Sequence, residues 1–117
     1  SLSHSLGGVN PRLHHGTLNA MFLPAVVHFN AQAPSVQKDR RLERMAHAMG
    51  LASAGEIPEA IRDMNARLGL PSGLAAMGVT EALFDDVIKG ALADHCHKTN
   101  PRVATAEEYR ELLAASM

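Results

Sequence analysis

The chain has one cysteine, no tryptophan, one tyrosine and three phenylalanines among its 117 residues. A single thiol, Cys96, excludes an internal disulfide and points to a reducing, cytoplasmic setting. Aromatic residues at 3% are too sparse for a base-stacking platform. Charge of one sign is also missing. Eleven Lys and Arg face twelve Asp and Glu, giving a net charge of -1 and a pI near 6.6. That balance argues against nucleic acid, which demands a basic face to release counterions. No basic tract suggests a membrane surface. The longest apolar stretch, "AMFLPAVVHF", has about half the length a bilayer needs and carries Pro24 and His28. No signal-peptide pattern opens the chain.

The usual catalytic and metal motifs are absent as well. There is no HExxH, cysteine pair, EF-hand loop or GxSxG, and no glycine-rich phosphate loop follows a strand. Strand-like alternation, internal repeats and low-complexity tracts are not seen.

What the sequence does contain is helix. Residues 1–7 form a short helical phrase that Gly7 and Gly8 are expected to end. Asn10-Pro11 marks a turn. From His15 to Asn30 the residues are apolar nearly all round, the pattern of a buried central helix. Pro24 is expected to kink it, and Phe22 and Leu23 to be among its most buried residues. A second long helix is expected from Pro34 to Met49, with Leu42, Met45, Ala46 and Met49 on its inner stripe. Ser53 and Glu56 have capping-box spacing, ahead of a helix with Ile57, Ala60, Ile61, Met64 and Leu68 facing inward. Thr80 should cap a helix burying Leu83, Phe84, Val87 and Ala91. Thr105 and Glu108 form a second capping box, with Tyr109, Leu112 and Leu113 buried behind it. The class is all-α: a bundle of about five or six helices around the apolar one.

Seven histidines are an enrichment for a chain of this size. Imidazole is the commonest neutral metal ligand and the usual acid-base group at neutral pH. His4 and His15 lie on either side of a glycine-rich loop, so one cavity can hold both. His15 stands at the start of the apolar helix, a rigid mount at the edge of a dry core. By spacing alone, however, a helix-start imidazole bonded to a carbonyl is the commoner arrangement. "HCH" at His95, Cys96 and His97 reads as a helix end, where the helix dipole favours cationic histidine. His28 and His47 read as packed or surface residues. The adjacent pairs Asp85-Asp86 and Glu107-Glu108 point apart on their helices and make no acid-base dyad.

The order of several motifs is specific. "SHSLGGVNPRLHHGTLNAMFLPAVVHFN" resembles the second signature of the iron-containing (type III) alcohol dehydrogenases. "LGLPSGLAAMGVT" and "ALADHCHKTNPRVATAEEYRELL" resemble the closing helices of that family. The resemblance implies a dehydroquinate synthase-like helical domain, preceded in the family by a nucleotide-binding α/β domain, with the active site in the cleft between them. Residues 1–117 would be the C-terminal part of the helical, metal-binding domain. The chain has no initiator Met and reads as a fragment that begins beyond three of the four expected metal ligands.

The resemblance also implies roles. His15 matches the last metal ligand; His14 is the alternative, because the loop here is one residue longer, and Gly16 after His15 favours the former. His4 matches a histidine that lines the substrate site without holding the metal. Asp94, Asn100 and Arg102 match family positions and are assigned structural roles. The implied cofactors are a divalent metal, Fe(II) ahead of Zn(II), and NAD or NADP, the latter bound outside this chain. The implied activity is hydride transfer between an alcohol and a carbonyl in a homodimeric enzyme, the fragment alone being inactive. Maleylacetate reductase, of the same superfamily, is the alternative enzyme. A non-catalytic helical interaction module is the alternative of another class.

Overall fold

A computed structural model describes residues 1–117. Seven α-helices and no strand make up the fold. They are α1 (Leu2–Val9), α2 (His15–Asn30), α3 (Pro34–Lys38), α4 (Arg41–Ala48), α5 (Ile57–Arg67), α6 (Phe84–Ala93) and α7 (Ala106–Ala115). Short 3-10 turns occupy Ala54–Glu56, Ala75–Met77, Glu81–Leu83 and His95–Thr99.

The extra helix comes from a break in the expected 34–49 segment. Arg40 has φ 49 and ψ 43, a left-handed backbone that cannot continue a right-handed helix. The Arg41 side chain bridges the break to Asp39 at 2.9 Å. Helix α1 differs in the other direction. It runs through Gly7 and Gly8, neither of which has positive φ, to Val9. Asn10 ends it. Its N–H closes on the Leu6 carbonyl, and its side-chain oxygen accepts from the N–H of Arg12 at 3.2 Å.

Helix α2 is the centre, packed by α1, α5 and α7. Leu18, Met21, Phe22, Ala25 and Phe29 join α1, α6 and α7 in the main core, while Val27 packs with Ala46, Ile57 and Ile61 in a smaller one. Pro24 lies inside α2, and the helix continues past it. Proline at 24 removes the N–H that would bond the Ala20 carbonyl. Asn65 of α5, almost fully buried, supplies the replacement, donating from Nδ2 to Ala20 at 3.0 Å.

Leu23 corrects the expectation of all-round burial. It is 44% exposed, whereas Phe22 beside it is buried. Neighbouring helices cover three sides of α2. The fourth side, with Asn19, Leu23 and Val26, borders an open apolar cleft of about 480 Å³ that Leu2, Tyr109 and Leu112 also line. Met45, Met49, Met64 and Leu68 are likewise exposed, so the inner stripes of α4 and α5 are narrower than their spacing suggests.

Both capping boxes form as read, at Ser53/Glu56 and Thr105/Glu108. Thr80 precedes its turn without a side-chain cap. Two contacts fix the ends of the bundle. Ser5 of α1 donates its hydroxyl to the Val87 carbonyl of α6 at 2.7 Å, and a Cβ on Gly90 would land on the Ser5 side chain. Helices α1 and α6 thus meet at backbone distance. At the far end of α2, Asn30 and Asn100 exchange two amide bonds of 3.1 and 2.7 Å. Arg102 lies 3.9 Å from the Phe29 ring centroid and donates to the Phe29 carbonyl at 3.2 Å. A cation there also suits the helix dipole. Glu108 pairs with Arg102 at 2.5 Å. The structural roles assigned to Asn100 and Arg102 are therefore visible as a clamp on the end of α2.

Candidate functional site

The close approach of α1 to α6 carries His4 to the end of α6, where Asp94 follows the last helical residue. His4 Nδ1 lies 2.9 Å from Asp94 Oδ2. The other carboxylate oxygen accepts from the Cys96 N–H at 2.7 Å and so caps the 3-10 turn His95–Thr99. Burial alone would raise the Asp94 carboxyl. The Cys96 N–H and the His4 ring outweigh burial and hold it at about 2.

Three imidazoles gather at this corner. The rings of His4 and His15 stack with centroids 5.1 Å apart and planes 13° apart. His4 and His95 stack at 5.8 Å and 23°. The helix α2 start supplies His15, and the turn after α6 supplies His95. His14 is used differently. Its Nδ1 accepts from the Thr17 N–H at 3.4 Å as the N-cap of α2, and a Cβ on Gly16 would crowd the His14 ring. Neither ring nitrogen of His15 is engaged by the hydrogen bonds of this corner, which use His4, His14 and, at 3.3 Å from the Cys96 thiol, His95.

The "HCH" tripeptide is not a simple helix end. It opens its own turn under the Asp94 cap and splits three ways. His95 stacks on His4. Cys96 places a thiol so that ligand atoms of His4, Asp94 and Cys96 all lie within 4.8 Å of one another. His97 turns away to the buried Tyr109 hydroxyl at 2.8 Å, and burial raises the Tyr109 phenol above its ordinary value. His28 and His47 are exposed residues of α2 and α4 and take no part in this cluster.

Sequence reasoning reached His4 and His15 and missed that Asp94 and Cys96 meet His4. The available signal was Asp94 itself, an N-cap residue type directly after an alanine-rich helix. Donor chemistry fits a divalent cation at this edge. Imidazole, carboxylate and thiolate are all ligands of first-row metals, and His15 offers a nitrogen that nothing else claims. The chain has no strand, and so no glycine-rich strand-to-helix turn of the dinucleotide-binding kind.

Known proteins identify the family. Residues 1–117 match the description "Fe-containing alcohol dehydrogenase family, C-terminal". The 4-hydroxybutyrate dehydrogenase of Cupriavidus necator is 56% identical over 121 residues, an alignment covering 100% of this chain and 32% of that protein. An NAD-dependent methanol dehydrogenase of Bacillus methanolicus is 34% identical, with 97% and 30% covered. An alcohol dehydrogenase of Thermococcus barophilus is 35% identical, with 96% and 29% covered. The chain therefore spans about a third of the length of the curated relatives it matches. No solved structure matches it. With a family match that runs from Ser1 to Met117, the chain belongs to the iron-containing alcohol dehydrogenases, in the C-terminal region of that family.

Proposed function

We propose that these residues are the C-terminal helical part of a metal-dependent, NAD(P)-linked alcohol dehydrogenase, with a dehydroquinate synthase-like helical domain. The full-length match to the family carries the reading, and the imidazole corner supports it. In the whole enzyme a nucleotide-binding domain would face this corner across a cleft, and the protein would be a cytoplasmic homodimer. The 56% identity to a 4-hydroxybutyrate dehydrogenase supports a short hydroxy acid with a terminal alcohol as substrate.

His15 would hold the metal, Fe(II) or Zn(II), together with ligands outside this chain. Its free nitrogens favour it over His14, whose ring caps α2. A divalent cation at such a site supplies Lewis-acid polarisation of the alcohol oxygen. Hydride acceptance is the contribution of the nicotinamide. The residues of this chain do the rest. His4 stands beside the substrate, and its stacking on His15 keeps it next to the metal ligand. The apolar cleft bordered by Leu23 and Val26 favours the apolar stem of an alcohol and disfavours water.

The test is to purify the full-length protein without air, measure its metal, and follow NAD(P)H formation with 4-hydroxybutyrate. Alcohol-dependent reduction with about one metal per subunit is expected. Reduction of maleylacetate in its place would favour the alternative enzyme. A metal-free, cofactor-blind protein would identify a helical interaction module. The 117-residue chain alone should bind Zn(II) weakly, since one or two imidazoles fall short of a four-ligand site.

A further inference from the structure

The function above leaves Asp94 without a part in the chemistry, and its geometry gives it one. Both carboxylate oxygens are committed: Oδ1 to the Cys96 N–H at 2.7 Å and Oδ2 to His4 Nδ1 at 2.9 Å. The side chain is only 12% exposed, so its orientation is set by the turn it caps. An ionised carboxylate only accepts hydrogen bonds. His4 must then carry a proton on Nδ1, and in the neutral ring this leaves Nε2 as a lone-pair acceptor on a side chain that is 44% exposed. Stacking on His15 and His95 restricts rotation of that ring.

We propose that Asp94 is a positioning residue that fixes the tautomer and orientation of His4, so that His4 Nε2 accepts a hydrogen bond from the substrate hydroxyl. The proposal rests on the dehydrogenase reading, in which His4 stands beside the substrate. Its logic is that of carboxylates which orient catalytic or metal-bound histidines from behind. The alternative use of the same atoms, a second cation held by His4, Asp94 and Cys96, would have to break the bond that now joins His4 to Asp94.

Asp94→Asn separates position from structure. The asparagine oxygen can still accept from the Cys96 N–H and keep the cap. Its amide now donates toward His4 Nδ1, which drives the proton to Nε2 and turns the acceptor into a donor. The experiment uses full-length enzyme labelled with 15N-histidine and loaded with diamagnetic Zn(II). In the parent, the His4 resonances should report the Nδ1–H tautomer; in Asp94→Asn, the Nε2–H tautomer. We expect kcat to fall about 10–100-fold, the range for such supporting partners, with KM changed less and metal content kept. Adding Asp94→Asn to His4→Ala should cost nothing further, because the effect passes through His4. A parent His4 with its proton on Nε2, or an Asp94→Asn enzyme with parental kcat, would overturn the proposal. So would a multiplicative loss in the double variant. Should the parent lack dehydrogenase activity, the dehydrogenase reading fails, and the role assigned to Asp94 in the reaction falls with it. The His4 resonances would then still decide the pairing alone.

Discussion

Asn65 of α5 donates to the Ala20 carbonyl of α2, the group that Pro24 leaves without an intrahelical partner. A helix interrupted by proline is thereby kept whole by a side chain 45 residues away. Replacing Asn65 with Leu should leave that carbonyl unpaired and cost about 1–3 kcal/mol. Pro24→Ala restores the missing donor within α2, so the loss from Asn65→Leu should be smaller in that background. Urea unfolding of the two singles and the double gives the coupling. Strict additivity would show that the two residues act independently.

The two neighbouring residues of α2, Phe22 and Leu23, should respond very differently to truncation. Phe22 is buried in the main core, and Phe22→Ala should cost roughly 3–5 kcal/mol. Leu23 faces the open cleft, and Leu23→Ala should stay within about 1 kcal/mol where that cleft is open to solvent. A larger loss for Leu23 in the full-length protein would mean that the rest of the enzyme covers the cleft. Thermal melts of both variants decide it.

Two glycines should move stability in opposite directions. Gly90→Ala forces α1 away from α6 through Ser5 and should destabilise by roughly 1–3 kcal/mol. Because α1 carries His4, turnover should fall too. Gly8 sits inside α1 with open space around it, so Gly8→Ala should stabilise by roughly 0.4–1 kcal/mol. Denaturant midpoints measure both.

His15→Ala in the full-length enzyme should lose metal and activity together, while His14→Ala should keep both and lose only a weak helix cap. Metal analysis after dialysis is the readout. Metal loss confined to His14→Ala would shift the ligand by one position.

Acid should act through Asp94. Its carboxyl is held near 2, below the ordinary 3.8, against the raising effect of burial, by the Cys96 N–H and the His4 ring. A lowered folded value means stability that is present above pH 3.8 and is lost as pH falls towards 2. The stability gap between the parent and Asp94→Asn should therefore narrow over that window. A constant gap from pH 6 to pH 2.5 would assign the difference to packing.

Much of this could be read from the residues. Capping boxes, the apolar run of α2 and the inner faces of α6 and α7 are local patterns, and local patterns survive folding. The break at Arg40 was hidden because any residue with ordinary helix propensity can be driven into the left-handed region by tertiary context. Leu23 was misplaced because composition says that a helix is apolar, not which side its neighbours leave uncovered. The histidines near the N-terminus announced a site. Their partner Asp94 did not, because it joins them only through the crossing of α1 and α6.

That crossing has a kinetic consequence. The pairing of His4 with Asp94 closes a loop of 90 residues. Closing so long a loop pays its entropy before any contact repays it. We therefore expect the central helix to form and recruit α5 while the imidazole corner is still open, an order that phi-value measurements would check. The same asymmetry governs the native state. Amides of α1 should exchange with solvent through partial openings that leave α2 protected, so mild heating or denaturant should dismantle the site before the fold.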